Sequence, residues 1–130
     1  MPITYRYDHI HLRSTNPAEA AMFYEKMFGA MVVAQPRPAG VPRQVITIPG
    51  GPELYIDPVQ EGQTLPEGQR EPHLGLDHFG FGVDDIDAAA AELKARGATF
   101  FMEPRRVSPT VAICFVQAPD NVRIELTQRG

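Results

Sequence analysis

The sequence predicts an α+β fold built from two βαβββ modules, and three observations predict it. Asp8-His9-Ile10 returns as Asp77-His78-Phe79 after 69 residues. Each copy leads into a helix with one apolar face that stops at a glycine. Each helix is then followed by three short apolar stretches divided by turn residues.

The elements follow in order. The first strand lies within YDHIHLRS, and Asn16 caps the next helix, with Pro17 at its first position and Glu19 completing a capping-box pattern. Ala20, Phe23, Tyr24, Met27 and Phe28 share one helix face, and Gly29 ends the helix. Strands are expected over AMVVA (30–34), QVITI (44–48) and ELYID (53–57), with Pro49-Gly50-Gly51 as the tight turn before the last. In the second copy, Asp85 stands where Asn16 stood and caps a helix whose apolar face is Ile86, Ala89, Ala90 and Leu93. Lys94 and Arg96 sit at its negative end, and Gly97 stops it. Strands follow over ATFFM (98–102), VAICFV (111–116) and VRIELTQ (122–128), with Pro119-Asp120-Asn121 as the last turn. The chain is thus expected to be one domain over residues 1–130. Its first module covers about 4–57, a polar Pro/Gly-rich linker about 58–74, and its second module about 75–128.

The bulk composition agrees with a packed domain. Apolar residues make up 43% and charged residues 22%, enough for a core without disulfides. A net charge of −4 gives no basic field for nucleic acid or an anionic membrane. The single cysteine, Cys114, lies in an apolar strand and reads as core, in keeping with a reducing cytoplasm. No apolar run nears roughly 18 residues, and the N-terminus lacks a leader pattern, so neither spanning nor secretion is expected. Eight of the 13 prolines lie between residues 36 and 72, which makes that half strands with stiff connections.

Strand alternation sorts the side chains. Ile10, Leu12, Leu54 and Ile56 face the first helix. Phe79, Phe81, Val83, Ile124 and Leu126 face the second. The opposite faces collect His9, His11, His78, Glu53 and Glu125, together with Arg13, Tyr55 and Asp57. Imidazoles and carboxylates recurring at matching places in both copies form a plausible divalent-metal set. A single histidine or glutamate on a strand is more often a hydrogen-bonded surface residue.

The run DHI–helix–FYEKMFGA, then LDHFGFGVDDIDAAAAELKARGATF, then APDNVRIELTQ resembles the vicinal oxygen chelate superfamily, which includes glyoxalase I, bleomycin resistance proteins and extradiol dioxygenases. The resemblance covers nearly the whole chain. It implies that the two modules pair into a cup-shaped mixed sheet with helices on the outer face. It implies metal ligands at His9, His78 and Glu125, with Glu53 in the fourth position; a small shift of PELYID puts Tyr55 or Asp57 there instead. The ion would be Zn, Ni, Fe(II), Mn or Co. A homodimer with sites shared between chains is implied as well.

The chemistry implied is chelation of vicinal substrate oxygens, with Glu125 or Glu53 as ligand and possible base. The first expectation is a metal-dependent lyase or isomerase of the glyoxalase I kind, acting on a small molecule. The alternatives are an Fe(II) extradiol-type dioxygenase and a metal-free drug- or metabolite-binding protein. His11 lies roughly 7 Å from His9 along the strand and has Gly80 as its counterpart. It is expected to contact substrate or transfer a proton, against an equal chance of a hydrogen-bonded wall residue. Arg13 could hold a substrate carboxylate, although a rim salt bridge is the commoner role. Tyr55 could line the pocket. Arg105-Arg106 are expected in a loop, and His73 in an exposed linker.

Overall fold

The computed structural model describes residues 2–69 and 71–130. It divides into two compact units, Met1–Leu65 and Pro66–Gly130. The first contains β1 (His9–Ser14), α1 (Pro17–Phe28), β2 (Met31–Gln35), β3 (Arg43–Thr47) and β4 (Glu53–Pro58). The second contains β5 (Phe79–Gly82), α2 (Ile86–Ala95), β6 (Phe100–Ser108), β7 (Val111–Gln117) and β8 (Arg123–Arg129), with a 3-10 turn at Pro119–Asn121. Each unit is a four-stranded mixed sheet and one helix, in the orders β1-β4-β3-β2 and β5-β8-β7-β6. The fold is therefore α+β, two βαβββ modules. In both, the first and last strands pair in parallel, and the helix carries the chain from the first strand to the far edge of the sheet, from which two antiparallel pairings return it to the last strand.

The helices form where local chemistry starts and stops them. The Asn16 side chain accepts a hydrogen bond from the Glu19 backbone N–H, and its amide donates to the Glu19 carboxylate. Gly29, at φ 67°, takes the left-handed conformation that ends α1, and its N–H bonds back to Glu25. Asp85 caps α2 through the Ala88 N–H.

One face of each sheet lies under its helix. Ala20, Ala21, Tyr24 and Met27 of α1 are buried with Ile46, Leu54 and Ile56. Ile86, Ala90 and Leu93 of α2 are buried with Ala112, Cys114, Val116, Ile124 and Leu126. That apolar burial, at about 25 cal/mol per Å² removed from water, drives each layer together.

One expectation for the second unit is corrected. Arg105 and Arg106 lie in a strand, not a loop, because β6 runs on to Ser108 through register shifts against β7. β6 is an edge strand, so Pro104 inside it costs the sheet no inner hydrogen bond.

Candidate functional site

The parallel pairing of first and last strands sets which side chains meet on the face away from each helix. In the first unit, His9 lies opposite Glu53, His11 opposite Tyr55 and Arg13 opposite Asp57. In the second, Gly80 lies opposite Glu125 and Gly82 opposite Thr127. Gly80 is the counterpart of His11 at the 69-residue offset. The register therefore places Tyr55, not Glu53, at the position equivalent to Glu125. Glu53 stands one register step earlier, beside His9, with its carboxylate 3.4 Å from the Thr47 hydroxyl.

Both repeat histidines are prepared in the same way. His9 Nδ1 lies 2.7 Å from the Asp8 carboxylate, and His78 Nδ1 lies 2.7 Å from that of Asp77. A carboxylate on Nδ1 fixes the ring and leaves Nε2 as the outward atom, the arrangement that surrounds metal-ligating histidines. Arg123 donates to Asp77 at 3.0 Å and lies over the Phe115 ring at 4.8 Å. The neighbouring His78 and the Arg123 charge hold the Asp77 carboxyl below its usual range.

His78 Nε2 lies 2.8 Å from Glu125 Oε2. The Thr127 hydroxyl donates to Glu125 Oε1 at 2.9 Å. Phe115 meets the His78 ring edge-on at 4.8 Å and is itself buried. A Cβ at position 80 would stand 3.1 Å from the Glu125 carbonyl oxygen, so glycine there lets β5 lie close to the carboxylate's backbone. These groups border an open cavity of about 510 Å³ lined by His78, Gly80, Gly82, Glu125 and Thr127.

The first unit is built around a different carboxylate. Asp57 is only 3% exposed. Arg43 grips it with two hydrogen bonds of 2.8 Å, Arg37 lies 2.9 Å away, and His11 Nε2 lies 2.8 Å away. The Arg43 hydrogen bonds, assisted by the charges of His11 and Arg37, bring the Asp57 carboxyl down to about 2 against the desolvation of burial. Tyr55 packs its ring on His9, stacked at 4.4 Å, and under the Arg43 guanidinium at 4.4 Å. Arg13 donates to the Pro58 carbonyl at 3.1 Å. A cavity of about 580 Å³ runs beside Arg13, Arg37 and Asp57.

The expected residues are thus brought together unit by unit: His9 with Glu53 and Tyr55, His78 with Glu125, and His11 with Asp57. Among the described residues, no group of three or more His, Cys, Asp or Glu side chains is placed to hold a metal ion. Within each unit the donor chemistry nonetheless suits a metal: His9 and His78 each have Nδ1 on a carboxylate, and in the second unit His78 Nε2 lies against the Glu125 carboxylate. Sequence reasoning passed over Arg37 and Arg43, gave Thr127 no role, and took Asp57 only as an alternative fourth ligand, not as the centre of a charge cluster. Asp57 had a legible signal, being a charged residue in a strand otherwise read as half-buried. The pairing of Thr127 with Glu125 followed from their i, i+2 spacing but had no motif to mark it.

The sequence model of the Glyoxalase/Bleomycin resistance protein/Dioxygenase superfamily matches residues 6–126. A probable lactoylglutathione lyase, chloroplastic, of Arabidopsis thaliana is 37% identical over 57 residues, 43% of this chain and 16% of that protein. The match thus spans well under two thirds of that relative's length. Among solved structures, TnmS3, an antibiotic binding protein from Streptomyces sp. CB03234, superposes with a TM-score of 0.74 at 22% identity, covering 100% of this chain and 99% of the other. SMU.1112c gives 0.77 at 23% identity over 95% and 98% of the two chains. A glyoxylase/bleomycin resistance protein/dioxygenase domain from Frankia sp. EAN1pec gives 0.76 at 18% identity over 98% and 100%. These likenesses establish the fold.

Proposed function

Because the chain belongs to the glyoxalase/bleomycin resistance protein/dioxygenase superfamily, we propose that it is a divalent-metal-dependent enzyme acting on a small substrate with two adjacent oxygens. The observation that carries this reading is the repeated Asp–His step, closed in the second unit by Glu125 at 2.8 Å from His78 Nε2. A site that only shelters an apolar drug has no need of two imidazoles each oriented by its own carboxylate. His78 with Glu125 in the second unit, and His9 in the first, are the candidate ligands, and Zn, Ni, Fe(II), Mn and Co all accept such nitrogen and oxygen donors. When bound, the metal supplies Lewis-acid stabilisation of negative charge developing on the substrate oxygens.

The chain's own residues do the rest. Asp8 and Asp77 orient the imidazoles. Glu53, beside His9 and half-exposed, is the carboxylate available to take and return a proton next to a substrate carbonyl. His11 keeps Nε2 on Asp57, which leaves Nδ1 to meet a substrate oxygen. The reaction class is that of a lyase or isomerase of the glyoxalase I kind, and a homodimer belongs to the same reading. One observation favours a second reaction class. Tyr55 in the position equivalent to Glu125 leaves two histidines and one carboxylate, a ligand set suited to Fe(II) and oxygen, as in extradiol-type dioxygenases.

The test is metal analysis of the purified protein after loading with Zn, Ni, Co, Mn or Fe(II), beside His78→Ala and Glu125→Gln. Stoichiometric metal in the wild type and its loss in both variants is the expected result. Glu53→Gln is expected to keep the metal and lose isomerase or lyase turnover; oxygen uptake with a catechol by the Fe(II) form would instead select the dioxygenase. No metal under any loading, with tight binding of an antibiotic, would overturn the enzyme reading.

A further inference from the structure

We infer that Thr127 is a positioning residue for Glu125, committing that carboxylate to act through the single oxygen that faces His78. The inference rests on Glu125 being a metal ligand, as proposed above, and adds how its geometry is held. The two carboxylate oxygens have separate partners. Oε1 accepts from the Thr127 hydroxyl at 2.9 Å, and Oε2 lies 2.8 Å from His78 Nε2. A carboxylate free to turn about its last torsion could present either oxygen or both; one whose Oε1 is engaged presents Oε2.

Thr127 is itself well fixed for this task. It follows Glu125 by two residues on the same face of β8, and its backbone carbonyl accepts from the Val83 N–H at 3.0 Å. Its branched Cβ leaves χ1 little freedom, so the hydroxyl stays where the strand puts it. The strand across offers no rival partner, since Gly80 lies opposite Glu125 and Gly82 opposite Thr127. Among the described residues, the first unit has no such pair at the equivalent positions. Its equivalent positions are Tyr55, stacked on His9, and Asp57, engaged by His11, Arg37 and Arg43.

Thr127→Val removes the hydroxyl but keeps the branched shape a strand favours, and Thr127→Ser restores the hydroxyl. The first measurement uses metal-free protein: side-chain coupling constants that report the Glu125 torsions by NMR. One rotamer is expected in the wild type and in Thr127→Ser, and rotamer averaging in Thr127→Val. The same single rotamer in all three would overturn the inference. The second measurement is the zinc dissociation constant by chelator competition. Thr127→Val is expected to weaken binding about 10- to 100-fold, the usual effect of losing a partner behind a ligand, with Thr127→Ser recovering most of it. Unchanged affinity in Thr127→Val, with His78→Ala still losing the metal, would overturn the inference and leave the metal reading standing. A wild type that takes none of Zn, Ni, Co, Mn or Fe(II), yet shows averaging in Thr127→Val, would support the positioning of Glu125 and overturn the metal reading.

Discussion

Asp57 shows how much one side chain can organise. A buried carboxylate without partners would lose its charge, but here two guanidiniums and an imidazole surround it. Its folded pKa of about 2 lies below the ordinary aspartate value, so its charge contributes stability above about pH 4. That contribution is lost as pH falls toward 2. Asp57→Asn is therefore expected to cost on the order of 2 kcal/mol at pH 7, and urea melts should show the gap to wild type closing between about pH 4 and 2. A gap independent of pH would mean that the charge is not the stabilising feature. Cys114 behaves oppositely. Burial pushes its thiol up to about 11, so little thiolate exists at neutral pH. A thiol reagent at pH 8 is expected to leave the native protein unmodified and to titrate one thiol only after denaturation; rapid native labelling would contradict the packing of β7. The core role of Cys114 and the Asp–His steps were legible because each is written in neighbouring residues. The grip of Arg37 and Arg43 on Asp57 was not, because it joins residues 14 or more apart in sequence.

At the scale of elements, the helices were the most legible parts. Their signals are local: Asn16 with Glu19, Pro17 at the start, and glycine after the end. Asn16→Ala removes both hydrogen bonds of the capping box and is expected to destabilise the protein by about 1 kcal/mol, measured as a shift in the urea midpoint at unchanged slope. Asn16→Asp, which keeps an acceptor for the Glu19 N–H, should lose much less. Strand ends were less legible. β6 extends to Ser108 through Pro104 because an edge strand tolerates what an inner strand does not, and nothing in the residues themselves says which strand is at the edge. The linker holds a small device of its own. His73 places one ring nitrogen 2.9 Å from the Glu71 carbonyl and the other 2.9 Å from that of Leu76. Only an imidazolium can donate to both, and these contacts raise its pKa.

Across the whole molecule, the repeat gives the two halves the same path and different chemistry. The 69-residue offset and the face of each strand could be read from the sequence, since alternation assigns each side chain to one side of its sheet. The pairing of β4 could not. Sliding β4 by two residues keeps Leu54 and Ile56 under the helix and keeps Glu53, Tyr55 and Asp57 outside, so the apolar pattern is blind to such a slip. In the slipped chain Glu53 would take the place that Tyr55 holds, and the first half would carry a carboxylate where the second carries Glu125. Asp57 would then be drawn away from Arg43 on β3 and His11 on β1, leaving both without their shared partner. The charge cluster thus acts as a detent on the sliding strand, choosing between two alignments of near-equal hydrophobic fit and, with them, which residue the first half offers at its site.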